Sequence, residues 1–544
     1  MTMNRAMLTR TSSGYKSLNR TPSSETGVKM PITTPQAVKA KSARQPFFLF
    51  FLLFISTLGP LQFGYHLGEL NAPESVIRCE AKQLPTTTDL NASKFSKCIP
   101  MNSGQWGMIQ SLFSVGGLFG ALLIGRVATK RGRRFALRLL TFFLAVGPIL
   151  EALASKMWML ALGRAVSGLG AGAATVVGPI YVSEVSPLNK RGLFGAFTQV
   201  QINAGIAISQ LLGYFLSKKS TWRWILATAG FIAAINFIGL FFAPETPTWL
   251  AANNQPRNAR LALQRIRGRT ADIREEMEQW SISGDHEQQS LLPQQRAHPT
   301  AQEPAKSFID VIRIPKYRRA VLAVSATMIA QQLTGINSVV MYSVSILGEA
   351  LPHKAALVTI IVSAANVLVT LIFSPLADKI GRKKCLLASI AGMGFASGML
   401  ADGLAKDKKV LTIVGVALFV CSFGLGLGPI PFILPSELVG PEAVGAISSW
   451  ALAFNWLSTF LVAQFVPILN SKLPPGKLYV IFGSIAAFFG ILISLIVPES
   501  KGKASAEKVW ADHDRGCRYC RICKACCFAC PCGRKRSRGA PAST

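Results

Sequence analysis

Twelve apolar runs, most of them at least 20 residues long, restrict the fold of this chain more than any other feature. Crossing the hydrocarbon core of a bilayer takes a helix of roughly 20 residues. Of the 544 residues, 50% are hydrophobic and only 15% are charged, whereas soluble domains carry about 25% charged residues. The sequence therefore predicts an all-α polytopic membrane protein and argues against a soluble enzyme. The predicted spans are 47–72, 104–128, 136–155, 157–182, 193–216, 223–243, 319–347, 355–377, 385–402, 410–435, 443–468 and 477–497.

Basic loops set the predicted orientation. Lys130–Arg134, Lys190–Arg191 and Lys379–Lys384 follow the second, fourth and eighth spans. Positive charge in short loops marks the cytosolic side of a membrane protein. The net charge of +32 is thus explained without a nucleic-acid partner. We expect these loops and both tails to face the cytosol.

The two halves of the chain repeat each other. Gly132-Arg133-Arg134 recurs as Gly381-Arg382-Lys383, and Pro244-Glu245 recurs as Pro498-Glu499 at a nearly equal offset. Parallel repeats of this kind are typical of major facilitator transporters, which bind substrate at the midplane between the halves. The predicted organisation is a disordered basic cytosolic tail (1–46), a six-helix bundle (47–247), a cytosolic linker with amphipathic helices (248–318), a second six-helix bundle (319–498) and a Cys-rich basic cytosolic tail (499–544).

Carboxamides interrupt the seventh predicted span. Gln331, Gln332 and Asn337 lie in an otherwise apolar segment, and Gly335 between them permits a close approach or a local break. A buried amide without a partner costs several kcal/mol on hydrocarbon scales, about 4–8. The amides therefore either face a cavity and bind something rich in hydroxyl groups, or they join helices by hydrogen bonds.

A series of motifs in a fixed order makes a family resemblance specific. The motifs are Gly163-Arg164 with Gly168, Gly170 and Gly172; Pro179, Tyr181, Glu184, Pro187, Arg191 and Gly192; Pro244-Glu245-Thr246-Pro247; Gln331-Gln332-Leu333-Thr334-Gly335-Ile336-Asn337; Gly428-Pro429-Ile430-Pro431; and Pro498-Glu499-Ser500. Together they resemble the sugar porter branch of the major facilitator superfamily over about residues 47–502. The resemblance implies twelve helices in two pseudo-symmetric bundles that move a hexose, glucose or a related monosaccharide, by alternating access, with no cofactor, metal or covalent chemistry.

The resemblance also assigns roles to individual residues. The residues expected to bind sugar are Gln199, Gln331, Gln332, Asn337, Asn366, Trp456 and Phe432. The residues expected to gate transport are Tyr342 at the outer side and Glu184, Arg191, Glu437, Arg133, Arg382 and Asp378 at the inner side. We expect Glu184 to pair with Arg191, because seven residues separate them at one helix end.

The first span contains two ionisable residues three positions apart. His66 and Glu69 share a helix face and can pair, and histidine titrates near neutral pH. Intramembrane ionisable groups mark functional sites, so His66 and Glu69 are candidates for proton coupling. The alternative is a neutral, hydrogen-bonded His66 and a Glu69 at the lumenal mouth. For Arg164 we favour a packing ion pair over contact with substrate.

The loops and tails carry short patterns. Asn91-Ala92-Ser93 is a glycosylation sequon, and Cys79 and Cys98 flank it and can form a disulfide. Leu291-Leu292, in an acidic context, resembles a dileucine signal for sorting adaptors and favours a vacuolar or lysosomal membrane over the plasma membrane. The tail cysteines suggest palmitoylation, a zinc site or an unstructured thiol-rich tail. They are Cys517, Cys520, Cys523, Cys526, Cys527, Cys530 and Cys532.

Two classes of function remain open from the sequence. The first is a membrane transporter, either a uniporter or a proton-coupled symporter or antiporter. The second is a non-transporting sugar sensor that signals through its long tails.

Overall fold

The first half of the molecule is a bundle of six long helices. A computed structural model describes residues 47–80, 98–187, 191–268, 271–274, 276–277, 309–351, 354–373, 379–503 and 506–519. The helices of this half are α1 (Phe47–Gly68), the short α2 (Glu74–Ile77), α3 (Ser103–Arg131), α4 (Arg133–Ala152), α5 (Met157–Val185), α6 (Arg191–Leu216) and α7 (Trp222–Phe242).

Helices of the first half pack closely where glycines face each other. A side chain on Gly64 of α1 would overlap the carbonyl of Ile202 on α6, and one on Gly205 of α6 would overlap the carbonyl of Leu61 on α1. Small residues let two backbones approach in this way. α1 and α6 therefore pack as one unit.

The second half repeats the bundle, but two of its spans are broken. Its helices are α11 (Pro315–Leu333), α12 (Ile336–Ala350), α13 (Ala355–Phe373), α14 (Arg382–Ala405), α15 (Lys409–Leu425), α16 (Ile430–Leu438), α17 (Pro441–Lys472) and α18 (Lys477–Ile496), after a short α10 (Asp310–Arg313). The span predicted over 410–435 is present as Lys409–Leu438, and it is interrupted between α15, which ends at Leu425, and α16, which begins at Ile430.

The break in the seventh span lies at Gly335. This residue has a φ of +98°, a conformation that glycine adopts without steric cost. The predicted run 319–347 is thus two helices, α11 and α12, separated by Thr334 and Gly335. Ten described helices are long and apolar enough to span a membrane. α6 and the broken pair α11–α12 provide the two further passes that the sequence predicts.

The segments between and after the bundles are partly helical. The linker forms α8 (Pro247–Ala252) and α9 (Pro256–Arg267), and α9 is amphipathic, with Ala259, Leu263 and Ile266 buried. The segment predicted as the Cys-rich basic tail (499–544) contains helix α19 (Ala506–Tyr519) near its start. The indole of Trp510 on α19 donates to the carbonyl of Leu438 at 3.0 Å, so this helix packs under the second half.

The halves meet along α3 and α17, α6 and α13, and α1 and α12. Large apolar side chains face outward around the bundle, among them Phe231, Phe395, Phe488 and Ile491. A belt of this kind is expected where a protein contacts lipid. The described residues form helices joined by turns and loops, with no strand among them, which confirms the predicted all-α polytopic fold.

Candidate functional site

A cavity lies between the two halves, near the middle of the bundle. The space between its walls, including the part that opens to solvent, is about 500 Å³. Its walls combine carboxamides with apolar side chains and contain no charged side chain among the described residues. The lining residues are Phe63, Leu67, Gln199, Ile202, Asn203, Ile206, Gln331, Gln332, Ile336, Asn337, Val340, Asn366, Phe423, Phe432 and Asn455.

Gln331 connects the two broken spans. Its Nε2 donates to the carbonyls of Leu427 and Gly428 at 2.6 and 3.1 Å, where the chain between α15 and α16 leaves its carbonyls free of helical partners. Its Oε1 accepts from Nδ2 of Asn455 at 2.6 Å. Gln331 thus donates to carbonyls that have no partner within a helix. Through Asn455 it also orients the neighbouring wall of the cavity.

The remaining amides form two short chains of hydrogen bonds. Nδ2 of Asn337 donates to Oε1 of Gln332 at 2.7 Å. On the opposite wall, Nε2 of Gln199 donates to Oδ1 of Asn203 at 3.2 Å, and Asn203 donates to the hydroxyl of Thr370 at 2.7 Å. The second chain joins α6 of the first half to α13 of the second.

Asn366 has unused hydrogen-bonding capacity. It lines the cavity, and its Oδ1 is buried without a hydrogen-bond partner. Buried polar atoms are normally paired, so an unpaired oxygen in a cavity wall indicates where a ligand donor or a water binds.

Trp456 lies behind the cavity wall and not in it. Its ring packs against Phe63 and Phe113, with centroid distances of 5.3 and 6.0 Å, and fills the space over Gly117. The preceding residue, Asn455, lines the cavity instead, because successive side chains of a helix point about 100° apart. Trp456 is therefore not among the residues that line the cavity in this conformation, whereas Phe432 lines it.

The end of the molecule that carries the disulfide is closed. A bond between Cys79 and Cys98 links α2 to the segment before α3. Deeper inside, Asn71 of the first half bonds to Ser343 and to the carbonyl of Val340 in the second half, at 2.8 and 3.0 Å. Tyr342, the expected outer gate, is buried and donates to the carbonyl of Ala463 at 2.7 Å.

The opposite end carries the basic loops, and matching charge pairs occur there in both halves. Arg133 pairs with Glu184 at 2.9 Å, and Arg382 pairs with Glu437 at 2.8 Å. Glu184 thus has Arg133 as a partner, and the side chain of Arg191, which we expected to pair with Glu184, lies outside the described residues. Asp378 also lies outside them.

A buried cluster of ionisable groups lies beside the cavity. Oε1 of Glu69 is 2.7 Å from Nδ1 of His66 and 2.8 Å from Nη1 of Arg164. Oε1 of Glu151 accepts from the hydroxyl of Ser167 at 2.6 Å. The nearest ligand atoms of His66, Glu69 and Glu151 all lie within 4.8 Å of one another. The expected His66–Glu69 pair is present, and Arg164 is a buried ion-pair partner and not a lining residue of the cavity.

Several of these residues were missed by the sequence analysis. Asn203 lies four positions after Gln199, on the same helix face, and this spacing could have identified it. Glu151 is an acidic residue in an apolar run, which is itself an indication of function. For Asn71 and Ser343 the sequence gives no indication that they meet, because their contact depends on how the halves pack.

Other predicted sites fall outside the described residues. They are the sequon residue Asn91, the dileucine pair Leu291 and Leu292, and the tail cysteines, of which only the backbone of Cys517 is described, at the end of α19.

Comparisons with known proteins agree with the geometry. The family model described as "Sugar (and other) transporter" matches residues 52–510. A probable metabolite transport protein of Saccharomyces cerevisiae is 32% identical over 467 residues, which cover 84% of this chain and 94% of that protein. Human facilitated glucose transporter member 3 of solute carrier family 2 is 29% identical over 466 residues, covering 84% and 90% of the two chains.

Solved structures share the fold. The xylose transporter of E. coli, in a partially occluded inward-open conformation, matches with a TM-score of 0.67 at 21% identity and covers 84% of this chain and 99% of its own. The same transporter, described as a major facilitator superfamily proton:xylose symporter, matches with a TM-score of 0.66 at 22% identity. This chain therefore belongs to the sugar (and other) transporter family and has the fold of the major facilitator superfamily.

Proposed function

We propose that the chain moves a neutral monosaccharide, a hexose, across a membrane by alternating access. The observation that carries the proposal is that seven carboxamides converge on one cavity whose described lining residues include no charge. Each carboxamide both donates and accepts hydrogen bonds, which suits a ligand made of hydroxyl groups. The names of the similar proteins, a glucose transporter and a xylose transporter, support the same class of substrate.

The arrangement of the two ends supports a transport cycle. The Asn71–Ser343 contact closes the disulfide end between the halves, whereas the charge pairs at the basic end lie within each half. We infer that sugar leaves and enters at the basic end in this state, and that the basic end faces the cytosol. Opening the disulfide end requires the Asn71 contacts to break and Tyr342 to move with α12, for which the break at Gly335 provides a hinge.

A transport assay with purified protein tests the proposal directly. The full chain is reconstituted in proteoliposomes, and uptake of a panel of labelled hexoses and pentoses is measured against empty liposomes. We expect saturable uptake of at least one hexose that the other hexoses inhibit. Binding of sugar without uptake of any member of the panel would reject transport and favour the sensor function.

Proton coupling is a second candidate because of the buried cluster. Two carboxyl groups and one histidine share a site with one arginine, Arg164, and all four side chains are fully buried. Two carboxylates this close in a medium of low dielectric repel each other unless a proton or a cation neutralises one of them. Phe113 lies against both His66 and Trp456, with centroid distances of 5.7 and 6.0 Å, so a change at the cluster can reach the cavity wall through packed rings.

Three variants separate the members of the cluster. If the Glu69–Glu151 pair holds the coupled proton, Glu151→Gln abolishes uptake driven by a pH gradient and retains exchange of sugar without a gradient. His66→Asn tests whether the imidazole is required, and Ser167→Ala removes a partner of Glu151 without changing charge. Uphill uptake that persists in both Glu151→Gln and His66→Asn would show that neither residue couples sugar to protons, and absence of uphill uptake in the wild type would leave facilitated diffusion as the function.

The remaining sequence-based proposals concern the tails and the location. We propose palmitoylation of the tail cysteines, glycosylation of Asn91 and adaptor binding at Leu291 and Leu292, in a vacuolar, lysosomal or plasma membrane. Hydroxylamine-sensitive acyl exchange on the tail cysteines tests the first of these; absence of exchange would reject acylation.

A further inference from the structure

Three arginines converge on the end of helix α7 at the basic end of the molecule. Arg134 donates to the carbonyl of Phe241 at 3.2 Å and Arg138 to that of Leu240 at 3.3 Å. Arg265, from the linker helix α9, donates to the carbonyl of Phe242 at 3.3 Å. The three guanidinium groups thus bond to main-chain carbonyls at a helix C-terminus, where positive charge is favourable. We call these three residues the arginine cluster.

The arginine cluster retains donors that the protein does not use. The Nε atoms of Arg134 and Arg138 are buried and have no hydrogen-bond partner among the described residues. The carboxylate of Glu245 is close by, but it accepts hydrogen bonds from the backbone N–H groups of Arg133, Arg134 and Thr246, at 2.9 to 3.2 Å. Its oxygens are thus already bonded to backbone N–H groups. Because one carboxylate lies beside three guanidinium groups, the cluster keeps an excess of positive charge.

Exposed aromatic rings surround the cluster on the side that faces lipid. Phe241 and Phe242 are 55% and 59% exposed. The guanidinium of Arg138 lies 4.7 Å from the ring of Phe241, and that of Arg265 lies 4.7 Å from the ring of Phe48. Aromatic rings beside cations at the end of a membrane-spanning helix are found at the level of the lipid headgroups. An anion at this level, in contact with apolar rings, has the chemistry of a phospholipid.

The second half of the molecule lacks this arrangement at the equivalent place. Lys383 occupies the position of Arg134 and donates to the carbonyl of Ser494 at 2.7 Å, but Leu387 occupies the position of Arg138. Helix α19 also covers this end of α18, since Nε2 of His513 lies 3.3 Å from the carbonyl of Leu495. The excess charge and the open, aromatic surface are thus combined in the first half.

We propose that the arginine cluster binds the phosphate of an anionic phospholipid in the leaflet at the basic end. The side chains of Arg134 and Arg138 are half-buried and that of Arg265 is exposed, so their guanidinium groups attract phosphate oxygens from the lipid side, and Phe241 and Phe242 contact the first part of the acyl chains. Charge-assisted hydrogen bonds from guanidinium groups are among the strongest that phosphate accepts. The bound lipid joins α4, α7 and α9, and thereby attaches the linker to the first bundle.

Lipid titration of the purified full chain tests the proposal. The protein in detergent is mixed with phosphatidylserine or phosphatidylcholine, and lipid adducts are counted by native mass spectrometry while the melting temperature is followed. We expect phosphatidylserine to bind and stabilise the wild type, with phosphatidylcholine much weaker. A lysine or arginine near a lipid surface contributes about 1 kcal/mol, so each arginine removed weakens binding roughly fivefold.

The variants are placed at equivalent surfaces of the two repeated halves. Arg134→Gln with Arg138→Leu removes two arginines of the cluster, and Lys383→Gln with Lys384→Gln removes two charges from the equivalent surface of the second half. We expect roughly 25-fold weaker phosphatidylserine binding in the first variant and less than about twofold in the second. If the first variant does not fold, Arg138→Leu alone, which copies the residue at the equivalent position, gives the fivefold effect.

Three results would overturn the proposal. They are wild-type affinity for phosphatidylserine in Arg138→Leu, an equal loss in the second-half variant, and full competition by millimolar inorganic phosphate. The last result would show a site for soluble anions in place of a lipid site.

Discussion

The side-chain amide of Asn71 lies 2.8 Å from the hydroxyl of Ser343 and joins the two halves of the molecule at the disulfide end. The same side chain accepts from the backbone N–H of Val344 at 3.0 Å, and Gln210 donates to the carbonyl of Val340 at 3.2 Å. Asn71 of the first half thus bonds to Val340, Ser343 and Val344 of α12. Because Asn71 follows α1 directly, closure of this end is linked to the helix that carries His66.

Removing the Asn71 side chain is expected to open the disulfide end. Each hydrogen bond contributes roughly 0.5–1.5 kcal/mol, so Asn71→Ala removes about 1–3 kcal/mol from the closed state. This change shifts a two-state equilibrium by roughly 5- to 150-fold. The measurement is the rate at which a membrane-impermeant maleimide labels a cysteine placed at Val340, whose side chain lines the cavity and whose bond to Asn71 uses only the main-chain carbonyl.

The control for this prediction is Ser484→Ala. Ser484 is an exposed serine on α18 that bonds within its own helix, so its loss leaves the labelling rate unchanged. Equal labelling of Asn71→Ala and the parent protein would show that the contact does not hold this end closed.

Two glutamines on α6 allow a matched test of the cavity. Gln199 lines it, whereas Gln201, two residues further on, points to α1 and donates to the hydroxyl of Thr57 at 3.2 Å. Gln199→Leu is expected to raise the KM for the transported sugar by about tenfold, which corresponds to the loss of one or two hydrogen bonds. Gln201→Leu is expected to lower the amount of folded protein and to leave KM unchanged.

Sugar uptake in proteoliposomes, normalised to the amount of folded protein, measures both variants. An unchanged KM in Gln199→Leu, or an equal rise in both, would remove Gln199 from the substrate site.

The bundle and part of the cavity were predictable from the sequence for identifiable reasons. The number of apolar runs long enough to cross a bilayer gives the number of passes. An amide in such a run requires a hydrogen-bond partner or a cavity. Gln199, Gln331, Gln332, Asn337 and Asn366 were assigned by their place in family motifs, and all five line one cavity. Each assignment depended on a single helix and its motif.

The features that the sequence did not reveal depend on how helices face each other. Trp456 and Asn455 are adjacent in sequence, and only the packing of α17 on α3 decides which of them lines the cavity. Glu151 joins His66 and Glu69 because α4 lies beside α1 and α5. In helix α19, the apolar side chains of Val509 and Trp510 pack against the second bundle. This surface of the bundle exists only in the folded protein.

The two basic-loop glycines are expected to be intolerant of a side chain. Gly132 and Gly381 have φ values of +94° and +118°, and a Cβ on either would overlap the carboxylate of Glu245 or Glu499. Strained conformations of this kind cost about 1–3 kcal/mol each. Gly132→Ala and Gly381→Ala are therefore expected to lower the melting temperature of the purified protein by several degrees.

Gly125 provides the matched control. It lies within α3, seven residues before Gly132, and a Cβ there meets nothing within 4 Å. Because alanine favours a helix over glycine by about 0.5–1 kcal/mol, Gly125→Ala is expected to be neutral or slightly stabilising. A melting temperature of Gly132→Ala that matches that of Gly125→Ala would contradict the proposed constraint.

Glu74 is expected to make stability depend on pH at the disulfide end. It belongs to the short helix α2, outside the membrane-spanning helices, and its Oε1 accepts from Nη1 of Arg78 at 2.9 Å. Burial raises the pKa of Glu74 to about 7, and the charge of Arg78 opposes this shift only in part. Since the pKa in the folded state lies above the ordinary value, the folded state binds the proton more tightly than the unfolded state. The resulting stabilisation is complete below the ordinary pKa and is lost as the pH rises to about 7.

Melting temperatures at pH 5 and pH 8 check this prediction. The difference between the two values is expected to be smaller in Glu74→Gln than in the wild type, since a shift of this size corresponds to about 3 kcal/mol at most. Glu80→Gln is the control, because Glu80 also pairs with Arg78, at 2.7 Å, but is 52% exposed. If Glu74→Gln keeps the full pH dependence of the wild type, the protonation of Glu74 does not account for the change in melting temperature with pH.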